Sequence, residues 1–450
     1  MQSRMNMQKY GEPGAGGWEI DHPHRFSVSF ILYLVGFTLN IFLFYGLAFA
    51  EDLRLHDLID EVLKNNHEIH LTGYKIAAST YRIPQVQTLP DPMFMFGYQN
   101  EGFKQYTLGK EQGAQWMFQA SQTFPFPGKL SLKGEMAEKE SESLKASLIG
   151  AQLKAVEKVK ELFYDLFFTY KSIDLVRDRT VLYSRVEDAA TARYSSGMGV
   201  QQEVLMAQIE KYMLLEREEM LQQKIQSTEA MLNATLGRDI NAPLGRPEER
   251  TMTLLARNMQ ELITVHAENS PLVQEKAKMV SAAEAKVRMA EREYYPDFTL
   301  NAEYFRRGGE FMDMWSLTTT INIPIFYRTK QRQAVLEAKA LLSGAEHELL
   351  AAKTMLASSI RDNYTMARSA ERLMELYREG LIPKAYQDFE SALSGYRTGK
   401  VEAITVISRL KALLDFETLY WGQFTEREKA VARLETITGG HNPGTGEKEK

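Results

Sequence analysis

The chain has no cysteine among its 450 residues. That absence excludes a disulfide framework, a thiolate metal site, a thiol nucleophile and a lipid anchor attached to cysteine. The chain also lacks an excess of positive charge, since its formal net charge is −5. A nucleic-acid partner would need a broad basic surface, so this class of function is disfavoured as well.

Patterns typical of enzymes are also missing. The sequence has no glycine-rich phosphate loop and no pair of catalytic carboxylates in a plausible pocket, so we predict a protein that is not an enzyme and needs no cofactor. Two weak metal patterns remain. His67 and His70 have a helical i, i+3 spacing, and the pairs Met93-x-Met95 and Met312-x-Met314 could offer thioethers to copper(I). Exposed histidines and packed methionines explain them better, and we predict no metal site.

The first 50 residues have the composition of a leader. Arg25 precedes a run of apolar residues that ends in Ala48-x-Ala50, directly before the acidic Glu51. A basic flank, an apolar run and a small-x-small end predict a signal peptide, residues 1–50, cleaved after Ala50. The apolar run is longer than usual, which leaves an uncleaved single-span anchor as the alternative. No later segment is apolar enough for a membrane helix.

One motif occurs twice, about 200 residues apart. A Tyr-x-x-Gly step is found at Tyr194/Gly197 and again at Tyr396/Gly399, and an apolar pair follows each step. Glycine tolerates the left-handed conformation that ends many helices. We therefore predict that each step is the tip of a helical hairpin and that the chain is internally duplicated.

The duplication predicts two repeats, 51–247 and 248–438, and a disordered tail, 439–450. Each repeat should contain a helix, a β-hairpin, a long helix and a shorter helix. In the first repeat the initial helix, with a break at Asn65-Asn66, is followed by a β-hairpin at 90–126 and helices at 129–196 and 201–236. In the second repeat the corresponding segments are a helix at 256–293, a β-hairpin at 295–326 and helices at 329–395 and 400–438.

The long helices have the pattern of coiled coils. Apolar residues from Val156 to Ile173 are spaced by alternating threes and fours, which predicts a continuous seam. At 1.5 Å per residue such a helix would measure about 100 Å, more than a compact domain needs. Gly380 and Pro383 should kink the second long helix, because proline removes a backbone hydrogen bond and clashes with the preceding turn.

The β-hairpins alternate between apolar and polar residues, as strands with two different faces do. Each strand is about ten residues long, enough to cross a bilayer at a tilt. A soluble sheet packed on helices is the alternative, but the leader and the long helices favour the membrane. The predicted lipid-facing residues are Trp116, Phe118, Phe124, Trp315, Leu317 and Ile321. Because lipid tolerates no open sheet edge, four strands must be completed by other chains. Two chains would give eight strands and three would give twelve, and the pattern does not decide between them.

The whole mature chain resembles the TolC-like outer-membrane efflux channels. The resemblance rests on the duplicated layout, the paired tips, the proline-led strands at Pro90-Asp91-Pro92 and Tyr295-Pro296-Asp297, and the strand exits at 124–129 and 323–326. It implies a mainly α fold with a small β part, in which α-helical hairpins form a periplasmic tunnel and four strands per chain join a trimeric, twelve-stranded barrel. It also implies two partners, a periplasmic adaptor (membrane fusion) protein and an inner-membrane pump of the resistance–nodulation–division (RND) or ABC type.

The second tip departs from the pattern of this family. The best-known members have two aspartates one helical turn beyond that tip, where they form an acidic ring, and the matching positions here are Thr405 and Ser408. Met206 and Glu203 are the counterparts in the first repeat, so a charged ring would need Glu203 or Glu402. The predicted tip, gate and adaptor-contact residues are Tyr194, Gly197, Glu203, Tyr396, Gly399, Glu402, Thr405 and Ser408.

These observations predict a passive duct in the outer membrane, part of a tripartite efflux system for metal ions or small toxic solutes. The strand exits and the second tip look most like channels that serve heavy-metal-type RND pumps. Two alternatives remain open. One is the outer-membrane duct of a type I protein secretion system, and the other is a periplasmic coiled-coil scaffold without a pore.

Overall fold

The computed structural model describes residues 52–255, 258–266 and 269–439. The predicted leader at 1–50 and all but the first residue of the predicted tail lie outside these ranges. The first repeat contains α1 (Leu55–Asn65), α2 (His67–Gln87), β1 (Met93–Gln99), β2 (Gln115–Phe124), α3 (Lys129–Ser195) and α4 (Gln201–Leu236). The second contains α5 (Met259–His266), α6 (Pro271–Arg292), β3 (Phe298–Arg306), β4 (Met314–Ile321), α7 (Gln331–Glu375), α8 (Ile382–Arg397) and α9 (Ala403–Thr438).

Local sequence explains where the shorter helices begin. Asn66 separates α1 from α2, and its side chain accepts hydrogen bonds from the amides of Glu68 and Ile69, at 2.9 and 3.2 Å, as an N-cap residue does. The single helix predicted at 256–293 is wrong, because α5 and α6 are separate. Proline lacks an amide hydrogen and fits the first turn of a helix, so Pro271 begins α6 rather than continuing α5.

The two long helices differ in continuity. α3 runs unbroken for 67 residues, and its predicted seam is buried, with Val159, Phe163 and Leu166 fully covered. In the second repeat a π-helical turn, Leu376–Leu381, separates α7 from α8. Gly380 lies in this turn and Pro383 in the first turn of α8. The predicted interruption is therefore present as an inserted π turn, one of the recognised causes of helix distortion.

The four strands form one antiparallel sheet in the order β1-β2-β3-β4. β2 and β3 pair along their lengths, from Trp116 opposite Arg306 to Phe124 opposite Phe298. That pairing joins the two repeats, while β1 and β4 are the outer strands of the sheet in this chain.

The two largest hydrophobic clusters hold most of the helices together. One surrounds α1, the middle of α3 and the end of α4, and the other lies beneath the hairpin tips, between α3, α4, α8 and α9. Beside Tyr164 of the first cluster, the buried carboxylate of Glu428 accepts hydrogen bonds from the Tyr164 hydroxyl at 3.1 Å and from the amide and hydroxyl of Thr253 at 3.2 and 2.6 Å. These bonds attach the segment that links the repeats to both α3 and α9. Among the described helices, none is both long and apolar enough to cross a membrane.

Candidate functional site: the hairpin tips and the sheet

The two Tyr-x-x-Gly steps form the same turn. Gly197 and Gly399 both have left-handed backbones, with φ of 74° and 77°. The amide of each glycine donates to the carbonyl of the tyrosine three residues earlier, at 3.0 Å in both tips. The amide of the next residue donates to the carbonyl of the residue before the tyrosine: Met198 to Arg193 and Lys400 to Gly395, both at 2.9 Å. Each turn thus closes the end of a long helix in the manner of a Schellman motif.

Three side chains connect the first hairpin to the second. The hydroxyl of Tyr396, in α8, donates a hydrogen bond to the Glu203 carboxylate, in α4, at 3.0 Å. The guanidinium of Arg193, in α3, lies 5.0 Å from the centre of the Tyr396 ring and donates to the Tyr396 carbonyl at 3.0 Å. We call Arg193, Glu203 and Tyr396 the tip latch. Tyr396 is fully buried, and this burial, with the bond to Glu203, raises its pKa to about 12.

The remaining predicted tip residues lie outside the latch. Tyr194 is 48% exposed, although it occupies the same place in the motif as Tyr396. Glu402 is exposed at the start of α9, and the Ser408 hydroxyl donates to the Thr405 carbonyl of its own helix at 2.8 Å. Of the two carboxylates considered for an acidic ring, Glu203 is therefore engaged by Tyr396 and Glu402 is open to solvent.

A second contact between the hairpins lies further from the tips. Arg185 in α3 and Glu390 in α8 form a bidentate ion pair, with distances of 2.9 and 3.1 Å. The hydrogen bond from Arg185 lowers the pKa of the Glu390 carboxyl. Buried leucine, valine and phenylalanine side chains fill the space between this ion pair and the latch. The two hairpins are consequently held together by an apolar core and by polar contacts at more than one level.

The sheet has two chemically different faces. The register places Trp116 beside Tyr98 and Arg306, and Phe118 beside Phe96 and Tyr304. Aromatic rings on this face contact one another across three strands, as in the stacked pair Phe96–Trp116 at 5.1 Å. The predicted lipid-facing residues of β2 and β4 all lie on this face according to the register, and they are Trp116, Phe118, Phe124, Trp315, Leu317 and Ile321.

The opposite face consists largely of hydroxyl and amide side chains. Thr123 and Thr299 share a hydrogen bond at 2.9 Å, and the Asn301 amide donates to Thr320 at 3.1 Å. Met93 and Met95 also lie on this face, because they are paired with Ser121 and Gln119. The face is thus suited to contact with water, whereas the aromatic face is suited to contact with hydrocarbon.

A buried lysine connects the sheet to the long helices. The Lys129 ammonium, at the start of α3, donates to Asp297 at 2.8 Å and to the Tyr295 carbonyl at 3.0 Å. Asp297 also accepts a hydrogen bond from the Phe126 amide at 2.7 Å. A proline-led strand start and a strand exit, both noted in the sequence, therefore meet here. No role was predicted for Lys129 or Arg193 from the sequence, although Lys129 is the last residue of the first strand exit and Arg193 directly precedes the first Tyr-x-x-Gly step.

The candidate metal ligands are dispersed. The ring of His70 contacts the Lys64 carbonyl at 2.8 Å, and Met312 lies in the loop before β4, where it is largely exposed. Within the residues that the structure describes, no three histidine, aspartate or glutamate side chains are grouped so that they could hold a metal ion.

The paired hairpins and the two-faced sheet together define the fold of a TolC-like channel, mainly α with a small antiparallel sheet. The chain belongs to the outer membrane efflux protein family, which it matches over residues 58–238 and 262–440. This membership confirms the resemblance identified in the sequence, and the protein is an outer-membrane efflux channel.

Individual relatives support the same fold. The cobalt-zinc-cadmium resistance protein CzcC of Cupriavidus metallidurans is 23% identical over 69% of this chain and 74% of its own. The solved structure of VceC from Vibrio cholerae has a TM-score of 0.72 at 16% identity, covering 86% of this chain and 96% of that one. A structure of CusC also gives 0.72, at 15% identity, covering 87% and 93%. The predicted fold class is confirmed.

Proposed function

We propose that the protein is a passive export duct that spans the outer membrane and extends into the periplasm, without any chemical step of its own. The observation that carries this proposal is the sheet, with one aromatic face and one face of hydroxyl and amide groups. Lipid on one side and water on the other would satisfy both faces. The predicted signal peptide would bring the chain to this compartment.

The sheet also supports a homotrimer. Within the described residues, β1 and β4 are the ends of the sheet and each leaves a row of backbone groups without a strand partner, and such groups cost several kcal/mol each in hydrocarbon. Pairing β4 of one copy with β1 of the next would satisfy them. Three copies give a twelve-stranded barrel with room for a water-filled bore, whereas eight strands would be filled by side chains.

A periplasmic adaptor would bind at the tips, and an inner-membrane pump would supply the energy. A cavity of about 410 Å³ opens beside the tip latch and offers a docking position. Its polar lining includes Arg185, Asp188, Arg193, Ser196 and Arg397. Opening of the duct would separate the hairpins, which requires the latch to break and the apolar core beneath it to slide.

Metal ions or small toxic solutes are the proposed cargo, delivered by an RND-type pump. The similarity to CzcC, named for cobalt, zinc and cadmium resistance, favours metal ions. An ABC-driven protein secretion duct would have the same fold, so identifying the type of pump and adaptor encoded by the neighbouring genes would distinguish the two. A scaffold without a pore would give no conductance in planar bilayers.

The test is a double variant, Gly197→Val with Gly399→Val. Valine is strained at positive φ, so both tips should distort, and cells should lose resistance to cobalt, zinc and cadmium while the barrel still inserts into the outer membrane. Gly73→Val with Gly344→Val is the matched control, since both glycines are helical and have open space around them. Full resistance in the tip variant would refute the assigned role of the tips.

A further inference from the structure

The strands carry very little charge. Among the strand residues that the structure describes, only Glu303 and Arg306 are charged, and both are in β3. Glu303 is paired with Gln119 on one side and Ser316 on the other, which places it on the face of hydroxyl and amide groups. Arg306 is paired with Trp116 and lies on the aromatic face. The polar face of the sheet therefore holds a single carboxylate.

The Glu303 side chain is fixed in place and has no opposing charge. The Ser316 hydroxyl donates to its carboxylate at 2.6 Å. No lysine or arginine in the described part of the chain lies within salt-bridge distance of Glu303, in contrast to the many paired carboxylates on the helices. Neighbouring positions on this face, such as Met117, Phe305 and Asn301, are all neutral. The negative charge is thus uncompensated within the sheet.

We propose that Glu303 sets a preference for cations in the bore of the barrel. This inference rests on the proposed trimeric channel, in which symmetry places three copies of Glu303 at one level of the membrane. Twelve strands about 4.8 Å apart, tilted by about 40°, enclose a barrel with a radius of about 12 Å. A glutamate side chain reaches about 5 Å inward, which leaves each carboxylate about 7 Å from the axis.

That distance is shorter than the screening length of about 10 Å in 0.1 M salt. Three unit charges about 7 Å from the axis would therefore concentrate a monovalent cation there about fourfold in 0.1 M salt, and only about 1.3-fold in 1 M salt. Anions would be depleted by the same factors. The ring would favour cationic cargo, inorganic or organic, and would do so at the barrel rather than at the tips.

The experiment measures the reversal potential of the purified full-length protein in planar bilayers across a potassium chloride gradient. Glu303→Gln keeps the size of the side chain and an acceptor for Ser316, and it should lower the cation-to-anion permeability ratio several-fold near 0.1 M salt but barely in 1 M salt. Glu303→Lys should favour anions. All variants also carry Tyr396→Phe. This substitution loosens the tips, so that the tips do not dominate the electrical resistance of the channel.

Asp313→Asn is the matched control. It removes the same charge, but the Asp313 carboxylate is bonded to the hydroxyl of Tyr304, which lies on the aromatic face. The reversal potential of this variant should be unchanged. If Glu303→Gln conducts with an unaltered reversal potential, or if Asp313→Asn shifts the reversal potential equally, this inference is overturned but the proposed channel function is not. If the parent protein shows no conductance, both the proposed channel function and this inference are overturned.

Discussion

Tyr194 and Tyr396 occupy the same place in a duplicated motif, yet they have different surroundings. Tyr396 is fully buried between the two hairpins of the chain, while Tyr194 is 48% exposed. The backbone turns that follow them are nearly identical. Duplication therefore repeats the local structure, but two hairpins in one chain share only one interface, and only one of the tyrosines lies in it.

Truncation of each tyrosine to alanine should give the largest difference between the two tips. Tyr396→Ala should destabilise the tips by about 3–5 kcal/mol, because it removes a buried aromatic ring. Tyr194→Ala should cost less than about 1 kcal/mol, because its side chain is half exposed. Hydrogen exchange of the tip amides in the detergent-purified protein measures both. An equal loss in the two variants would contradict a difference set within one chain and would indicate that a neighbouring copy covers Tyr194.

Removing only the hydroxyl groups isolates the hydrogen bond of the latch. Tyr396→Phe keeps the ring but leaves the Glu203 carboxylate without its donor, and we expect a loss of about 1–3 kcal/mol in tip stability and a higher single-channel conductance. Tyr194→Phe is the matched control, and its conductance should equal that of the parent. Unchanged conductance in Tyr396→Phe would show that the latch does not restrict the duct.

The glycines of the two turns allow a finer comparison. Alanine at either position should cost about 1 kcal/mol, since both backbones are left-handed. The sites differ in space, because a Cβ at Gly197 would meet nothing within 4 Å, whereas one at Gly399 would lie 3.2 Å from Nη1 of Arg193. Gly399→Ala should therefore accelerate exchange of the tip amides more than Gly197→Ala. The reverse order would exclude Arg193 as the cause.

Sequence alone predicted the features that depend on neighbouring residues. The tip turns follow from glycine after a long helix, and the two faces of the sheet follow from alternation, as in Gln115 and Trp116. The interruption after Glu375 follows from Gly380 and Pro383. The division between α5 and α6 was missed, although Pro271 signals it.

The latch and the junction at Lys129 could not be predicted in this way. Tyr396 and Glu203 are 193 residues apart in sequence, and Lys129 and Asp297 are 168 apart. Which hairpin lies beside which is decided by packing of the whole chain, so no local pattern reveals these partners. For the same reason the sequence gives no sign that Tyr194 and Tyr396 differ.

Acid should give the smallest of these effects on stability, and the effect should again differ between the two hairpins. Arg185 lowers the pKa of Glu390, so this ion pair contributes stability above the unfolded pKa of about 4.3, and the contribution is lost as the pH falls through the lower, folded pKa. Both side chains are more than a third exposed, which limits the effect to less than about 1 kcal/mol. Asp188, at the corresponding place in the first repeat, is exposed. The fall in thermal midpoint between pH 7 and pH 3 should therefore be smaller in Glu390→Gln than in the parent. In Asp188→Asn the fall should equal that of the parent. Equal falls in all three proteins would exclude this ion pair as a source of acid sensitivity.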